Sequence, residues 1–190
     1  MSGSVAGDDG RLRCPWALSA PDYVAYHDDE WGRPVADDNA MFERLSLEAF
    51  QSGLSWLIIL RKRPAFRAAF SGFRIEKVAR FTDRDVDRLL ADAGIVRNRA
   101  KIQATIANAR AASELADGLH AHLSSYAPSE PEVAPRTLAE VRSSSPLSVA
   151  MAKDLKRRGF RFVGPTTAYA LMQATGLVND HLADCFCRAE

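Results

Sequence analysis

A chain of 190 residues with 47% hydrophobic and 26% charged residues has the composition of an ordinary globular protein, and no apolar run approaches membrane-spanning length. The formal net charge of +1 excludes a global pull toward a polyanion, so any binding of nucleic acid has to come from local clusters. Three cysteines cannot make a fully paired disulfide framework, and the Gly/Ser/Asp-rich opening carries no apolar leader, so a reducing, cytoplasmic setting is expected.

In chain order, residues 1–12 read as a disordered tail and residues 13–190 as one domain, which by size scaling should bury roughly 70% of its unfolded surface. Between Arg13 and Gly32 the chain gathers Cys14, Trp16, Tyr23, Tyr26, His27 and Trp31, with Pro15 and Pro21 expected to interrupt any helix. So many rings in an irregular stretch suit either a pocket wall or a packed corner. A helix follows from about Asp38 to Gln51, capped by Asp37 or Asp38, with Phe42, Leu45 and Ala49 facing inward. Glu48 lies beside that apolar stripe, where a carboxylate without a partner would cost several kcal/mol. An arginine, a buried helix N-terminus or a ligand amino group would each supply one. Gly53 then ends the helix and Ser55 can cap the next, leaving Leu54 at the tip as a candidate wedge between bases.

From Trp56 onward the pattern is helical with clear punctuation. The run Trp56 to Lys62 is expected to stop before Pro64, and short helices follow over Ala65 to Phe70 and Ile75 to Arg80. Thr82 and Asp85 form a capping box for a helix through Val86, Leu89 and Leu90. Another helix carries Ile102, Ile106 and Ala109, and the turn before it places Arg97, Arg99 and Lys101 together, either as a DNA-backbone contact or as a solvated loop. Residues 127–145 read as a long connection. No period-2 strand stands out, so the fold class is all-α.

Toward the C-terminus, Leu147, Met151 and Leu155 line one helix that starts with Ser145 as N-cap and Pro146 as first residue; Pro165 opens the next, lined by Ala168, Leu171, Met172 and Thr175, which Gly176 ends. The turn between them, Gly159 to Gly164, is ringed by Lys153, Lys156, Arg157, Arg158 and Arg161. A like-charged cluster beside a helix start suits phosphate contacts, although a solvated αα-hairpin has the same pattern. Finally, Cys14 and His27 near one end and His181 and Cys185 near the other offer the donor set of a closed tetrahedral zinc site, with Cys187 competing for the place of Cys185, although scattered His and Cys more often have structural explanations.

Seven stretches taken in order resemble the DNA-3-methyladenine glycosylase I family of helix-hairpin-helix glycosylases: Cys14-x-Trp16, Tyr23-x-x-Tyr26-His-Asp28, Glu30-Trp-Gly32, Leu47-Glu-x-x-Gln51-x-Gly-Leu-Ser-Trp56, Asp92-Ala-Gly-Ile95, Lys156-x-Arg-Gly-Phe-x-Phe-Val-Gly164 and Gly176-Leu-Val-Asn-Asp-His181. The resemblance spans about Arg13 to Cys187. It implies a hairpin over about residues 147–175 and excision of N3-methyladenine from alkylated double-stranded DNA through a base rotated out of the duplex. It also implies one structural Zn2+ held by Cys14, His27, His181 and Cys185, and a monomer. Carried residue by residue, it gives Glu48 as the catalytic and base-binding carboxylate, with Tyr26, Trp56, Trp16 and Tyr23 around the base. Gly53, Leu54, Gly159, Phe160, Val163, Gly164 and Thr166 are then expected to meet DNA. The related glycosylases place an aspartate where Val178-Asn-Asp-His181 has Asn179, with Asp180 adjacent, so the water-activating group is unassigned. With no lysine obviously poised for a Schiff base, monofunctional hydrolysis without lyase activity is expected. A non-catalytic helix-hairpin-helix module containing zinc is the competing reading.

Overall fold

The computed structural model describes residues 3–130 and 132–189. Helices dominate: α1 Pro21–Asp29, α2 Asp38–Gln51, α3 Trp56–Ala69, α4 Ile75–Val78, α5 Asp83–Ala91, α6 Arg99–Ser113, α7 Gly118–Ser124, α8 Pro146–Arg157 and α9 Pro165–Ala174.

Helix α2 is the axis of the molecule. Asp37 caps it by accepting from the Ala40 N–H at 2.9 Å, and Met41, Phe42, Leu45, Leu47, Ala49 and Phe50 are all buried, a wider apolar surface than one stripe. A helix buried nearly all round must be covered on several sides, and α3, α4, α6, α7 and α9 pack against it. The core around it is aromatic: Phe50 meets Phe66 at 4.7 Å between centroids, and Phe70 stacks on Phe73 at 5.5 Å.

Three local expectations need correction. Pro21 does not interrupt a helix but begins one, since its missing N–H falls where a helix has no internal acceptor anyway. Pro64 does not divide α3; Ile59 before it and Phe66 and Ala69 after it are buried in the same core, which offsets a proline cost of about 3 kcal/mol. The segment expected to be a tail forms a two-residue ladder, β1 Val5–Ala6 against β2 Leu12–Arg13, and Ser4 Oγ donates to Asp184 at 2.6 Å. Its organiser is Arg13, only 4% exposed, whose guanidinium must be paired and bonds both Asp9 and Asp28 at 2.7 Å. Met1 and Ser2 lie outside the described residues.

The other signals translate directly. Thr82 and Asp85 form the capping box of α5. Ser145 caps α8 in a reciprocal pair with Ser148, Pro146 opens that helix, and Gly159, with φ +91°, ends it. Helix α8 then packs on α9 across the Gly159 to Gly164 turn.

Candidate active site and metal centre

Where α1, α2 and α9 meet the start of α3, a cavity of about 310 Å3 opens, lined by Trp16, Tyr23, Tyr26, Trp31, Glu48, Gln51, Trp56, Ala170 and Gln173. Its size falls in the range of small-molecule sites, roughly 300–1,000 Å3. Each wall follows from local sequence. Pro21 starts α1, and the i, i+3 spacing then sets Tyr23 and Tyr26 on one face. Ser55 and Trp56 begin α3, bringing the Trp56 ring within 5.4 Å of Tyr26. Trp16, on the short turn Pro15–Ser19, packs edge-on against Tyr23 at 5.7 Å and Trp31 at 5.1 Å.

Glu48 is the only charged group in this lining. It is 7% exposed, and no hydrogen bond or ion pair reaches its carboxylate among the described residues. Burial pushes its pKa up to about 8, opposed by the charge of Arg44 one turn earlier. Arg44 itself bonds Glu30 at 2.9 Å and not Glu48. Of the partners the sequence left open, the arginine is therefore engaged elsewhere, and the carboxylate faces a cavity of flat rings. Burial likewise raises the Tyr26 hydroxyl pKa, helped by the neighbouring Glu48 charge. The Trp56 indole N–H is buried without an acceptor.

All four expected metal ligands converge behind that aromatic wall. Cys14, His27, His181 and Cys185 are buried, and their ligand atoms lie within 4.8 Å of one another. Cys185 Sγ is 3.4 Å from His27 Nε2 and 3.6 Å from His181 Nδ1, while Cys14 Sγ is 3.9 Å from His181 Nδ1. A tetrahedron with metal bonds of zinc length has sulfur–nitrogen edges of roughly 3.5 Å, so the donor set fits such an ion. The outward ring nitrogens are also engaged: His27 Nδ1 lies 2.8 Å from Asp28 Oδ1, and His181 Nε2 lies 3.2 Å from the Trp31 carbonyl oxygen. Hydrogen bonding with Cys14, and then with His181 and His27, draws the Cys185 thiol well below its ordinary pKa. Cys187 is not in this group of four; it sits beside His27 Nδ1 at 3.7 Å. Trp16 contacts the His27 ring at 5.1 Å and Trp31 contacts the His181 ring at 4.6 Å, so the cluster backs two walls of the cavity.

The hairpin turn divides into a buried anchor and an exposed rim. Phe160 and Val163 are buried, which limits any contact with DNA to their backbones, whereas Gly159, Gly164 and Thr166 are exposed. Asn108 on α6 grips the turn, accepting from the Arg161 N–H at 2.7 Å and donating to its carbonyl at 3.0 Å. Among the described residues, the N–H groups of Val163, Gly164, Thr166 and Thr167 have no protein acceptor, as an oxyanion site requires. Arg157 and Arg158 are partly committed to Asp154, at 3.0 and 2.9 Å.

Near the cavity mouth, Gly53 is exposed in the left-handed region with φ +80°, and Leu54 is half-buried, packing on the core instead of standing free at the tip. The loop is braced from beneath: Gln51 Nε2 donates to the Leu54 carbonyl at 2.9 Å, and Lys101 Nζ donates to the Phe50 and Ser52 carbonyls at 2.8 and 2.5 Å. Lys101 is 8% exposed and so belongs neither to a DNA-facing cation cluster nor to a solvated loop. Asn179 and Asp180 stand outside the cavity lining. Asn179 Oδ1 accepts from the His181 N–H at 3.2 Å, and buried Asp180 accepts from the Tyr169 hydroxyl and the Gln173 amide, each at 2.8 Å. Trp31 belongs to the ring-rich stretch that suited a pocket wall, whereas Gln51, Ala170 and Gln173 were not singled out as lining residues; the one cue among these three was that Gln51 follows Glu48 by three helical positions.

The family model for methyladenine glycosylase matches residues 16–188. The chain belongs to the methyladenine glycosylase family. Membership makes it a glycosylase, a hydrolase of N-glycosyl bonds. It is 46% identical over 179 residues to DNA-3-methyladenine glycosylase 1 of Escherichia coli (strain K12), a match covering 92% of this chain and 96% of the relative. A crystal structure of a 3-methyladenine DNA glycosylase I superposes with a TM-score of 0.88 at 45% identity, covering 92% of this chain and 98% of that one. The Staphylococcus aureus enzyme, whose structure was described for its recognition of 3-methyladenine, gives the same TM-score at 35% identity, covering 94% of this chain and 97% of that one. In this glycosylase the cavity, the buried carboxylate and the hairpin turn therefore belong to a fold shared along nearly the whole chain.

Proposed function

We propose that this glycosylase excises N3-methyladenine from alkylated double-stranded DNA, with the damaged base rotated out of the duplex into the cavity around Glu48. One observation carries the reading: a buried carboxylate with no protein partner faces a cavity walled by Trp16, Tyr23, Tyr26, Trp31 and Trp56. Alkylation at N3 makes the purine cationic. Ring faces attract a cation, and a carboxylate in a dry site attracts it more strongly than any neutral base.

The raised Glu48 pKa gives the mechanism its sign. Near neutral pH the empty site holds much of Glu48 protonated, since its pKa lies near 8. An entering cation favours the carboxylate, so binding releases a proton and the complementary charge develops only with the correct base in place. Glu48 and Tyr26 present polar atoms to the base edge while Trp56 and Trp16, with Tyr23, hold its faces; the unpartnered Trp56 N–H is a further donor available there. The charged leaving group already weakens the glycosidic bond, so catalysis is mainly selective binding of the extruded cationic base. Gln51, Ala170 and Gln173 complete the lining without a lysine amine, which favours monofunctional hydrolysis over Schiff-base chemistry.

On the DNA side, Gly159, Gly164 and Thr166 offer backbone to phosphate, with Phe160 and Val163 setting the turn from inside. Gly53 and Leu54 lie against the lesion. Cys14, His27, His181 and Cys185 would hold one Zn2+, which would supply a structural tie between the chain ends. Residues 13–190 act as one monomeric, cytoplasmic unit. Incubation with methylated duplex DNA, followed by identification of the released base, tests the assignment: N3-methyladenine is expected, and Glu48→Gln is expected to abolish its release while keeping the fold.

A further inference from the structure

Arg44 and Glu48 stand at i and i+4 on α2, the spacing at which opposite charges on a helix ordinarily meet. Both are short of partners. Among the described residues, Arg44 Nη1 is buried with no acceptor and the Glu48 carboxylate has no donor. Left to themselves the two would satisfy each other, because an unmade hydrogen bond to a buried charge is among the costlier defects a protein carries. They do not pair, and the reason lies at the end of α1. Glu30 holds Arg44 through Nη2 at 2.9 Å. Glu30 is in turn held by both Nη atoms of Arg63 on α3, at 2.5 and 2.7 Å. A bidentate guanidinium–carboxylate pair is the most geometrically demanding ion pair available, so Glu30 cannot easily follow Arg44 toward Glu48.

We infer that the Arg63–Glu30 clamp is a positioning device that draws Arg44 away from Glu48 and so keeps the base-binding carboxylate free for a cationic purine. The inference deepens the proposed function and rests on Glu48 being the group that meets the base. The titratable and charged neighbours are few. Tyr26 faces Glu48 from α1, Arg44 approaches from its own helix, and Glu30 and Arg63 stand behind Arg44. Lys101 on α6 serves the far end of α2, at the Phe50 and Ser52 carbonyls. Burial works against the charge on Glu30, but the hydrogen bonds of Arg63 and then Arg44 outweigh it and lower the pKa to about 2, so the clamp stays ionised wherever Glu48 titrates.

The test compares the parent with Glu30→Gln, Arg44→Gln and the double variant. It follows the Glu48 carboxyl by carbon-13 NMR titration, assigned by its loss in Glu48→Gln, together with kcat/KM for base release. Freeing Arg44 in Glu30→Gln lowers the Glu48 midpoint by about one pH unit or more, the effect of an opposite charge at contact distance. The same pairing must then be broken for the base to enter, which costs roughly tenfold in kcat/KM per unit. Arg44→Gln and the double variant show no such fall, their midpoint staying at or above the parental one because the opposing Arg44 charge is gone, and both keep the parental activity. An unmoved midpoint in Glu30→Gln overturns the inference, as does an activity loss that the double variant fails to restore. Should Glu30→Gln not fold, Arg44→Gln decides alone: a midpoint at or above the parental one with activity retained supports the clamp, and a lowered midpoint or lost activity overturns it. Absence of base release from the parent would defeat the glycosylase reading of substrate while leaving the titration arm intact.

Discussion

Replacing Glu48 by Gln should make the protein more stable and less active, with a stability gain that grows with pH. The folded pKa of Glu48 lies near 8, raised by burial from an unfolded value of 4.5. For an acid whose folded pKa is raised, the favourable contribution is fully present below the unfolded pKa and is lost as pH rises through the folded one. Between 4.5 and 8 the unfolded chain ionises freely while the folded chain retains its proton, and each pH unit in that window costs about 1.4 kcal/mol. The penalty is therefore near zero at pH 4, about 3 kcal/mol at pH 7 and about 5 kcal/mol above pH 8. Glutamine has a similar shape and no charge, so it escapes the penalty at every pH, and every other titrating group cancels in the difference between the two proteins. Urea unfolding of parent and variant at pH 5, 7 and 9, at matched metal content, measures the gap directly. Two curves separated by the same free energy at all three values would refute the argument, because a carboxylate with a donor on its own chain has no such window.

Other expectations follow from the same contacts. If binding of the cationic base drives Glu48 to ionise, kcat/KM for base release from methylated DNA should climb with pH and level off near 8; a profile flat from pH 6 to 9 would remove the carboxylate from the recognition step. Cys185→Ser should abolish stoichiometric metal in elemental analysis, whereas Cys187→Ser, outside the group of four, should retain it. Stripping the metal with a chelator should quench base binding along with stability, since His27 and His181 back Trp16 and Trp31. Lys101→Met should leave the carbonyls of Phe50 and Ser52 without their donor, costing about 1–3 kcal/mol and lowering activity on duplex DNA more than affinity for the free base.

Legibility of the fold varied with how local the cause was. Caps and glycine stops act within four residues, so the starts of α2, α5 and α8 and the end of α8 could be read from the chain. Helix α7 went unassigned because its determinants are distant: Leu119 and Leu123 offer one short apolar pair, and the free N–H of His120 is satisfied by Asp38 at 2.7 Å across 82 positions. Pro64 misled for a related reason, since a propensity rule counts one lost hydrogen bond and not the core on both sides. In the site, Glu48 stood out as an acid beside an apolar stripe. The diversion of Arg44 did not, because the i, i+4 spacing points to Glu48 and only the three-dimensional meeting of α1 with α3 redirects it to Glu30.

The arrangement also explains why a chain of nearly balanced charge can act on a polyanion. Several of its acids hold cations internally, and the hairpin turn is left with unshared donors. Asp154 collects Arg157, Arg158 and His122, holding the end of α8 in shape, while Lys153, Lys156 and Arg161 around the same turn are exposed. Glu30 collects Arg44 and Arg63, and Asp28 collects Arg13 and His27, tying the Cys/His cluster to the N-terminal ladder. Glu48 is the exception on α2: a buried acid that no cation pairs with among the described residues. Leaving it unpaired costs the folded state several kcal/mol near neutral pH, a cost that a cationic base, and not a neutral one, relieves on entry. Selectivity and instability are then one quantity measured in two ways, and a substitution that repairs the second should erase the first.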